Sequence, residues 1–214
     1  MSVIGDPILM MGLKPKYTYT GSHEFIDDGG PNWRIKLKSS GTLTFTVPGN
    51  ITKGIDIFVV GGGAGGARAK NSTSNTIRTY GGGGYTKTQS NVAVTKGTGY
   101  AVTIGGGGAG VGPNGGAVVY STAGSQSKIV IGGTTYSANG GGRCDAQVVD
   151  WDYTYEYKTT PGTGGSAVGE FGVSGSAYSG HKSSGDTAGG ANTGTGGYGS
   201  AAGGSGIVVI RNHR

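Results

Sequence analysis

The sequence predicts an all-β protein in which antiparallel, sandwich-like sheets pack with segments of polyglycine. Two observations carry this prediction. Apolar runs such as "TLTFTV", "IDIFVV" and "GIVVIR" recur along the chain, and runs of this kind are typical of strands. Between them lie runs of consecutive glycines, a residue that is unfavourable inside helices. We therefore expect almost no α-helix.

Three β-hairpins are predicted in chain order. The first spans residues 33–47, with "SSG" turning between "WRIKLK" and "TLTFTV", and Pro48-Gly49-Asn50 then forms a turn into "IDIFVV". The second spans residues 85–104. The third spans residues 128–138, where two consecutive glycines form a two-residue turn. The chain closes on a strand at 206–211.

The glycine runs are expected to be ordered. The chain has 50 glycines and 6 prolines among 214 residues, without the period of three that marks collagen. Each run stands directly against a predicted strand, where a flexible linker would uncouple the pieces. Polyproline II helices have no internal hydrogen bonds, so the free amides and carbonyls of glycine can bond laterally. We expect packed polyglycine II helices that include Gly61, Gly62, Gly63, Gly65, Gly66, Gly81, Gly82, Gly83, Gly84, Gly105, Gly106, Gly107, Gly108 and Gly110.

A dinucleotide-binding motif, G-x-G-x-x-G, occurs at Gly61, Gly63 and Gly66, but its surroundings do not suit that function. The motif requires a helix after it, and then a strand that ends in an acidic residue about twenty residues on. Residues 67–80 have no helical apolar spacing, and no acidic residue occurs between Asp56 and Asp145. The sequence therefore predicts no nucleotide site.

Charge and cysteine content argue against several other classes. The net charge is +6, but Arg34, Lys36 and Lys38 alternate with apolar residues, which is typical of the polar face of a half-buried strand rather than a nucleic-acid groove. Cys144 and three scattered histidines form neither a zinc set nor a Cys–His pair. No apolar run approaches the roughly 18 residues that span a membrane. We expect no cofactor, metal, nucleic acid or membrane insertion.

The most distinctive stretch is "DWDYTYEYKTT" at residues 150–160. In one extended strand it would place aromatic residues on one face and mostly charged residues on the other. The aromatic row could pack in a core or subunit interface, or it could be an exposed recognition surface. Its position between glycine runs favours a loop or hairpin tip, where binding residues concentrate. The candidate receptor-binding residues are Asp150, Trp151, Asp152, Tyr153, Tyr155, Glu156 and Tyr157.

Catalysis has few candidates in this chain. Paired carboxylates hydrolyse glycosides when they flank the sugar, whereas Asp150, Asp152 and Glu156 would lie on one face of a single strand. The stretch "GGGGYTKT" is not a phosphate loop, because Thr86 stands where a glycine is required. We therefore expect no catalytic residues and no enzyme.

Three stretches resemble the glycine-rich domains of phage tail and fibre proteins. "TLTFTVPGNITKGIDIFVVGGGAGG" (42–66) resembles the entry to these domains, "NVAVTKGTGYAVTIGGGGAG" (91–110) their middle hairpin, and "GGSGIVVIRN" (203–212) their closing strand. The resemblance implies a non-enzymatic virion protein, assembled in the host cytoplasm, that binds the host cell surface at the tail or a fibre tip. Two alternatives remain open: a purely architectural virion or capsid decoration protein, and a glycan depolymerase.

The resemblance also implies a domain organisation and partners. "MSVIGDPILMMG" is similar to the beginnings of small virion proteins from phages of anaerobic Gram-positive bacteria. It implies an attachment segment at 1–30 ahead of a glycine-rich β domain at 31–214. The expected partners are other virion proteins and a glycan or protein of the host surface. Exposed edge strands and the aromatic row need covering, so we expect a homo-oligomer, with a trimer favoured because phage fibres are usually threefold.

Overall fold

The computed structural model of the protein describes residues 14–47, 51, 53–70, 76–113, 117–151, 154–172 and 177–214, with residues 150, 151, 154, 155 and 177 described by their backbone alone. Within these ranges the only helical element is a 3₁₀ turn at Glu170–Gly172. All pairings between the strands of the described ranges are antiparallel. The prediction of an all-β fold is confirmed.

Two five-stranded sheets of the described residues form a sandwich. Across the first sheet the order is β1 (Lys16–Tyr19), β4 (Gly41–Val47), β9 (Gly99–Thr103), β11 (Ser127–Ile131) and β12 (Thr134–Ala138). Across the second it is β2 (His23–Asp27), β3 (Trp33–Leu37), β17 (Ile207–Asn212), β5 (Ile55–Val60) and β8 (Thr86–Val92). Smaller sheets are built from β6 (Ala67–Lys70), β7 (Thr76–Thr79), β10 (Val119–Tyr120), β13 (Asp145–Trp151), β14 (Thr154–Thr160), β15 (Val168–Gly169) and β16 (Ala177–Tyr178).

The core of the sandwich follows from alternation along the strands. In β3, Trp33 is fully buried together with every second residue after it, whereas Arg34 and Lys36 are half-buried on the opposite face. Phe45 reaches the same core from the first sheet, and its ring centroid lies 6.3 Å from that of Trp33. The interpretation of the basic residues as the polar face of a half-buried strand is therefore confirmed for Arg34 and Lys36.

The central strands β5 and β17 are buried on both faces. Ile57 and Ile210 face the core of the sandwich. On the other side, Phe58 is covered by the segment that carries β15 and β16, where Phe171 and Tyr178 place their rings 5.7 and 5.4 Å from it. Burial on both faces explains why these two strands have continuous rather than alternating apolar sequences.

Two of the three predicted hairpins are wrong. β3 and β4 belong to opposite sheets, and so do β8 and β9. Each connection crosses the sandwich. β3 and β4 turn apolar faces to the same core from opposite sides, whereas β8 is largely polar and reaches this core only through Val92 at its end. The third hairpin is confirmed, since β11 pairs with β12 around Gly132 and Gly133. Their φ angles of 56° and 78° suit a type I′ turn.

The first described strands belong to the sandwich. β1 pairs with β4 and β2 pairs with β3, so residues 16–27 supply one edge strand to each sheet. The boundary expected at residue 30 thus falls between two paired strands. Residues 1–13 of the expected attachment segment, and the expected turn at 48–50, lie outside the described residues. The attachment role stays a prediction.

The glycine runs lie side by side, outside the strands, and are bonded to one another through their main chains. The central segment, 61–66, is fully buried. Along it, the amide of Gly62 donates to the carbonyl of Ser125, and that of Gly63 donates to Gly204. Further lateral bonds join Gly82 to Gly142, Gly108 to Gly63, Gly124 to Gly141, Gly197 to Ala64, Gly203 to Gly108 and Gly206 to Gly105. Many backbone groups of these segments are therefore satisfied without a sheet.

The missing side chains allow the segments to approach this closely. A Cβ atom on Gly62 would lie 2.1 Å from the carbonyl oxygen of Gly106, and one on Gly107 would lie 1.9 Å from that of Gly203. Lateral hydrogen bonding and close packing are what the polyglycine prediction requires. The polyglycine II conformation itself stays a prediction.

Candidate binding site

Three strand-forming parts of the chain are connected to the sandwich at both ends through segments that contain glycine. They are β6–β7 between 61–66 and 81–84, β10 between 105–110 and 121–126, and β13–β14 between 139–142 and 161–165. β6 and β7 form one small sheet, and β10, β13 and β14 form another. We call these two sheets together the hairpin layer.

The hairpin layer has a hydrophobic cluster separate from that of the sandwich. It is built from small side chains, including Ala69 of β6 and Ala146 and Val148 of β13. The thiol of Cys144 lies in this cluster, 3.3 Å from the hydroxyl of Ser121 and 3.4 Å from the carbonyl oxygen of Gly65. Burial raises the pKa of the Cys144 thiol, so this cysteine is a packing residue rather than a nucleophile.

The aromatic stretch forms a hairpin, and the expectation of one extended strand is wrong. β13 and β14 pair from Asp145 opposite Thr160 to Trp151 opposite Thr154, which places the reversal between them. The aromatic positions are therefore divided between two strands. The stretch belongs to a hairpin, as its position between glycine runs favoured, and its role in binding stays a prediction. A single strand was expected because alternation continues through the reversal, and the sequence contains no glycine or proline to mark it.

β13 and β14 differ in burial. Val148 of β13 is fully buried, whereas every described side chain of β14, from Glu156 to Thr160, is exposed. Tyr157, directly opposite Val148, is 46% exposed. The carboxylate of Glu156 lies 3.1 Å from the ammonium of Lys158. The outer strand of this sheet thus presents an aromatic ring and an ion pair to solvent.

The seven candidate residues are described to different extents. Asp152 and Tyr153 lie outside the described residues, and Asp150, Trp151 and Tyr155 are placed by their backbone alone. Glu156 and Tyr157 are the candidates whose side chains are described, and both are exposed. The sheet carries a further exposed ring at Tyr120, which is 53% exposed and has the guanidinium of Arg143 4.7 Å from its centroid.

Sequence reasoning missed a charged cluster on β6 and β7. Arg68 stands directly opposite Arg78, and both guanidinium groups contact Asp186, at 3.1 and 3.0 Å. Burial opposes the ionisation of Asp186, but hydrogen bonds from Arg78 and the amide of Ser200 outweigh it and lower the pKa of this carboxyl. The hairpin of β6 and β7 could have been predicted from the sequence, because the polar stretch 71–75 lies between two basic, alternating segments.

A second charged cluster holds the segment that carries β15 and β16 against the sandwich. Glu170 contacts Arg34 at 2.7 Å and Lys36 at 3.2 Å, and it accepts a hydrogen bond from the hydroxyl of Tyr178. Burial raises the pKa of Glu170, but the two basic partners outweigh it, so the pKa lies below its usual range. Arg34 also pairs with Asp28, so the two cations are balanced by two carboxylates, and these groups have a structural role.

Within the described residues, no group of three or more His, Cys, Asp or Glu side chains is placed to hold a metal ion. In the same part of the chain no helix has the length and apolar character needed to cross a membrane. The chain matches no protein-family model and none of the curated proteins with which it was compared.

Proposed function

We propose that the protein is a non-enzymatic structural component of a phage particle, located at the tail or a fibre tip, and that its hairpin layer binds the host cell surface. The observation that carries the proposal is the exposed strand β14, which is held at the end of buried, laterally bonded glycine segments. The resemblance of residues 42–66, 91–110 and 203–212 to glycine-rich domains of phage tail and fibre proteins supports the virion location.

Anchoring at both ends supports a role in recognition. The hairpin β13–β14 leaves the glycine segments at Gly142, whose amide donates to Thr163, and returns at Gly162, whose amide donates to Tyr80. Both ends of the hairpin are therefore fixed next to each other. A hairpin held in this way loses little conformational entropy on binding, which favours affinity.

The chemistry of the exposed strand suits a polar surface ligand. Tyr157 offers a flat ring with a hydroxyl group, and such rings provide contact area at a small cost in conformational entropy. Glu156 and Lys158 stand beside it with a hydrogen-bond acceptor and donor. A carboxylate next to an aromatic ring suits the hydroxyl groups of a surface sugar as well as a polar protein loop.

Asp56, Asp186 and Glu170 are not suited to general-acid catalysis. Burial raises the pKa of Asp56, but hydrogen bonds from His213, Asn91 and Arg211 outweigh it and lower the pKa. The pKa values of Asp186 and Glu170 are lowered as well. A general acid that works near neutral pH needs a raised pKa instead.

A pair of tyrosine variants tests the proposal. Tyr157 and Tyr85 are 46% and 44% exposed, but Tyr85 stands next to β8 of the sandwich. Fluorescently labelled protein is mixed with a panel of Gram-positive anaerobes, and bound protein is measured. We expect Tyr157→Ala to reduce adsorption at least tenfold and Tyr85→Ala to leave it unchanged, with melting temperatures of both close to that of the parent.

The remaining outcomes separate the alternatives. If the parent protein binds none of the cells, the architectural interpretation replaces ours. If Tyr157→Ala and Tyr85→Ala adsorb as well as the parent, the hairpin layer is not the binding surface. Release of reducing sugar from purified cell envelope, measured in the same preparations, would identify a depolymerase.

A further inference from the structure

Among the described residues, no strand pairs with the outer edge of β14. In the sheet β10–β13–β14, β14 pairs with β13 on one side, and within the described residues no strand pairs with its other side. The exposed side chains from Glu156 to Thr160 leave this edge open to solvent. An open edge is a template for pairing with another strand, because its amides and carbonyls lack partners in the sheet.

The charges on β14 match a second copy of the same strand. Glu156 and Lys158 stand two residues apart, one on each side of Tyr157, the central residue of β14. In an antiparallel pair centred on Tyr157, Glu156 of each copy lies opposite Lys158 of the other. Opposite charges facing each other across a strand pair are stabilising. The full length of both strands, from Thr154 to Thr160, overlaps in this register.

Other registers lose this match. Antiparallel pairs centred on Glu156 or Lys158 place two like charges opposite each other, and a parallel pair in register does so twice. If the pairing is shifted by one residue, the buried face of one sheet becomes continuous with the exposed face of the other. The Tyr157-centred register therefore combines continuous sheet faces with two ion pairs.

We infer that two copies of the protein associate through β14, which pairs antiparallel with itself about Tyr157 and joins two three-stranded sheets into one of six strands. The contact has twofold symmetry, in which each residue meets its complement on the other copy. It uses the backbone edge of β14 together with the side chains of Glu156 and Lys158, and it goes beyond the proposed surface binding, on which it does not depend.

Charge reversal tests the pairing in solution. Sedimentation velocity of the full chain at micromolar concentrations should show a dimer, in place of the trimer that the resemblance to phage fibres favours. Glu156→Lys and Lys158→Glu each replace two attractive pairs by two repulsive ones, and each should raise the dissociation constant about tenfold. The double variant restores both pairs and should return to the parent value. Glu24→Lys, which breaks an exposed ion pair with Lys38 in the sandwich, should leave association unchanged.

A cross-linking experiment tests the register even if charge reversal disturbs the hairpin. Residues opposite each other in an antiparallel pair have Cα atoms about 4.5–5.5 Å apart, within the range of a disulfide. Tyr157→Cys should therefore form a disulfide-linked dimer in oxidising buffer, whereas Lys158→Cys, which faces Glu156 of the other copy, should not. A monomeric parent, a trimer that charge reversal does not affect, or equal cross-linking of both variants would overturn the inference.

Discussion

In the sandwich, side chains such as Ile35, Phe45 and Ile129 fill the space between two sheets, whereas in the glycine segments this space is filled by the main chains of neighbouring segments. Sheets that pack through side chains lie about 10 Å apart. The glycine segments come so close that a Cβ atom on Gly141 would lie 1.9 Å from the carbonyl oxygen of Gly82. The two regions should therefore respond to opposite kinds of substitution, since the sandwich is weakened by removing atoms and the glycine segments by adding them.

The largest effect is expected from Phe45→Ala in the sandwich. Phe45 is fully buried, and its ring lies 6.3 Å from that of Trp33 and 6.5 Å from that of Tyr17. Loss of the ring should lower the free energy of unfolding by about 3–5 kcal/mol, because a cavity remains. Urea denaturation measures the loss. Phe25→Ala, at a ring that is 39% exposed, should cost less than about 1 kcal/mol, and equal losses at the two positions would contradict the assignment of the core.

A smaller effect of the opposite kind is expected from Gly107→Ala. Its new methyl group would meet the carbonyl oxygen of Gly203 at 1.9 Å, whereas a Cβ on the neighbouring Gly106 has no atom within 4 Å. Gly107→Ala should cost about 1–3 kcal/mol, and Gly106→Ala should change stability by less than about 0.5 kcal/mol. Parallel urea titrations compare the two variants. Equal stability of the two would show that the glycine segments are not closely packed.

The smallest expected effect is a difference in pH dependence between the sandwich and the glycine segments. Asp56 of β5 is buried and accepts hydrogen bonds from Arg211, His213 and the amide of Asn91, while segments 61–66 and 81–84 contain no titratable side chain. The pKa of Asp56 is lowered in the folded protein. Its contribution to stability is therefore present above the unfolded pKa of about 3.9 and is lost as the pH falls through the folded value.

Asp56→Asn removes this dependence. The variant should lose roughly 1 kcal/mol at neutral pH and should lose less additional stability than the parent between pH 5 and pH 3. Urea midpoints measured across this range give the two profiles. If the stability of Asp56→Asn fell as steeply with decreasing pH as that of the parent, the acid sensitivity would arise from other residues.

The parts of the fold that sequence predicted correctly depend on local chemistry. Gly132 and Gly133 form a turn that needs positive φ at both positions, so the hairpin of β11 and β12 followed from two residues. The connections from β3 to β4 and from β8 to β9, which cross from one sheet to the other, could not be predicted from local residues in this way. Alternating apolar residues show which face of a strand is buried. They do not show whether two consecutive strands pair within one sheet or face each other across the core.

The candidate site was predicted in part. The stretch 150–160 was placed at a hairpin tip from its composition and its position between glycine runs, and β13 and β14 form that hairpin. The pairing of Tyr157 with Val148 depends on the register, and alternation alone does not fix where a strand reverses. The contacts of Asp186 with Arg68 and Arg78 join residues that are more than a hundred positions apart, a separation across which no local pattern acts.

The lateral hydrogen bonds also determine how the molecule responds to tension. Segment 61–66 is bonded along its length, from Gly62 to Ser125 and from Gly66 to Ala201. A pull along the segments acts on these bonds in shear, so they have to break together, whereas bonds that are peeled apart break one at a time. The glycine segments should therefore resist extension. A pull on the hairpin layer should be transmitted through them to the sandwich.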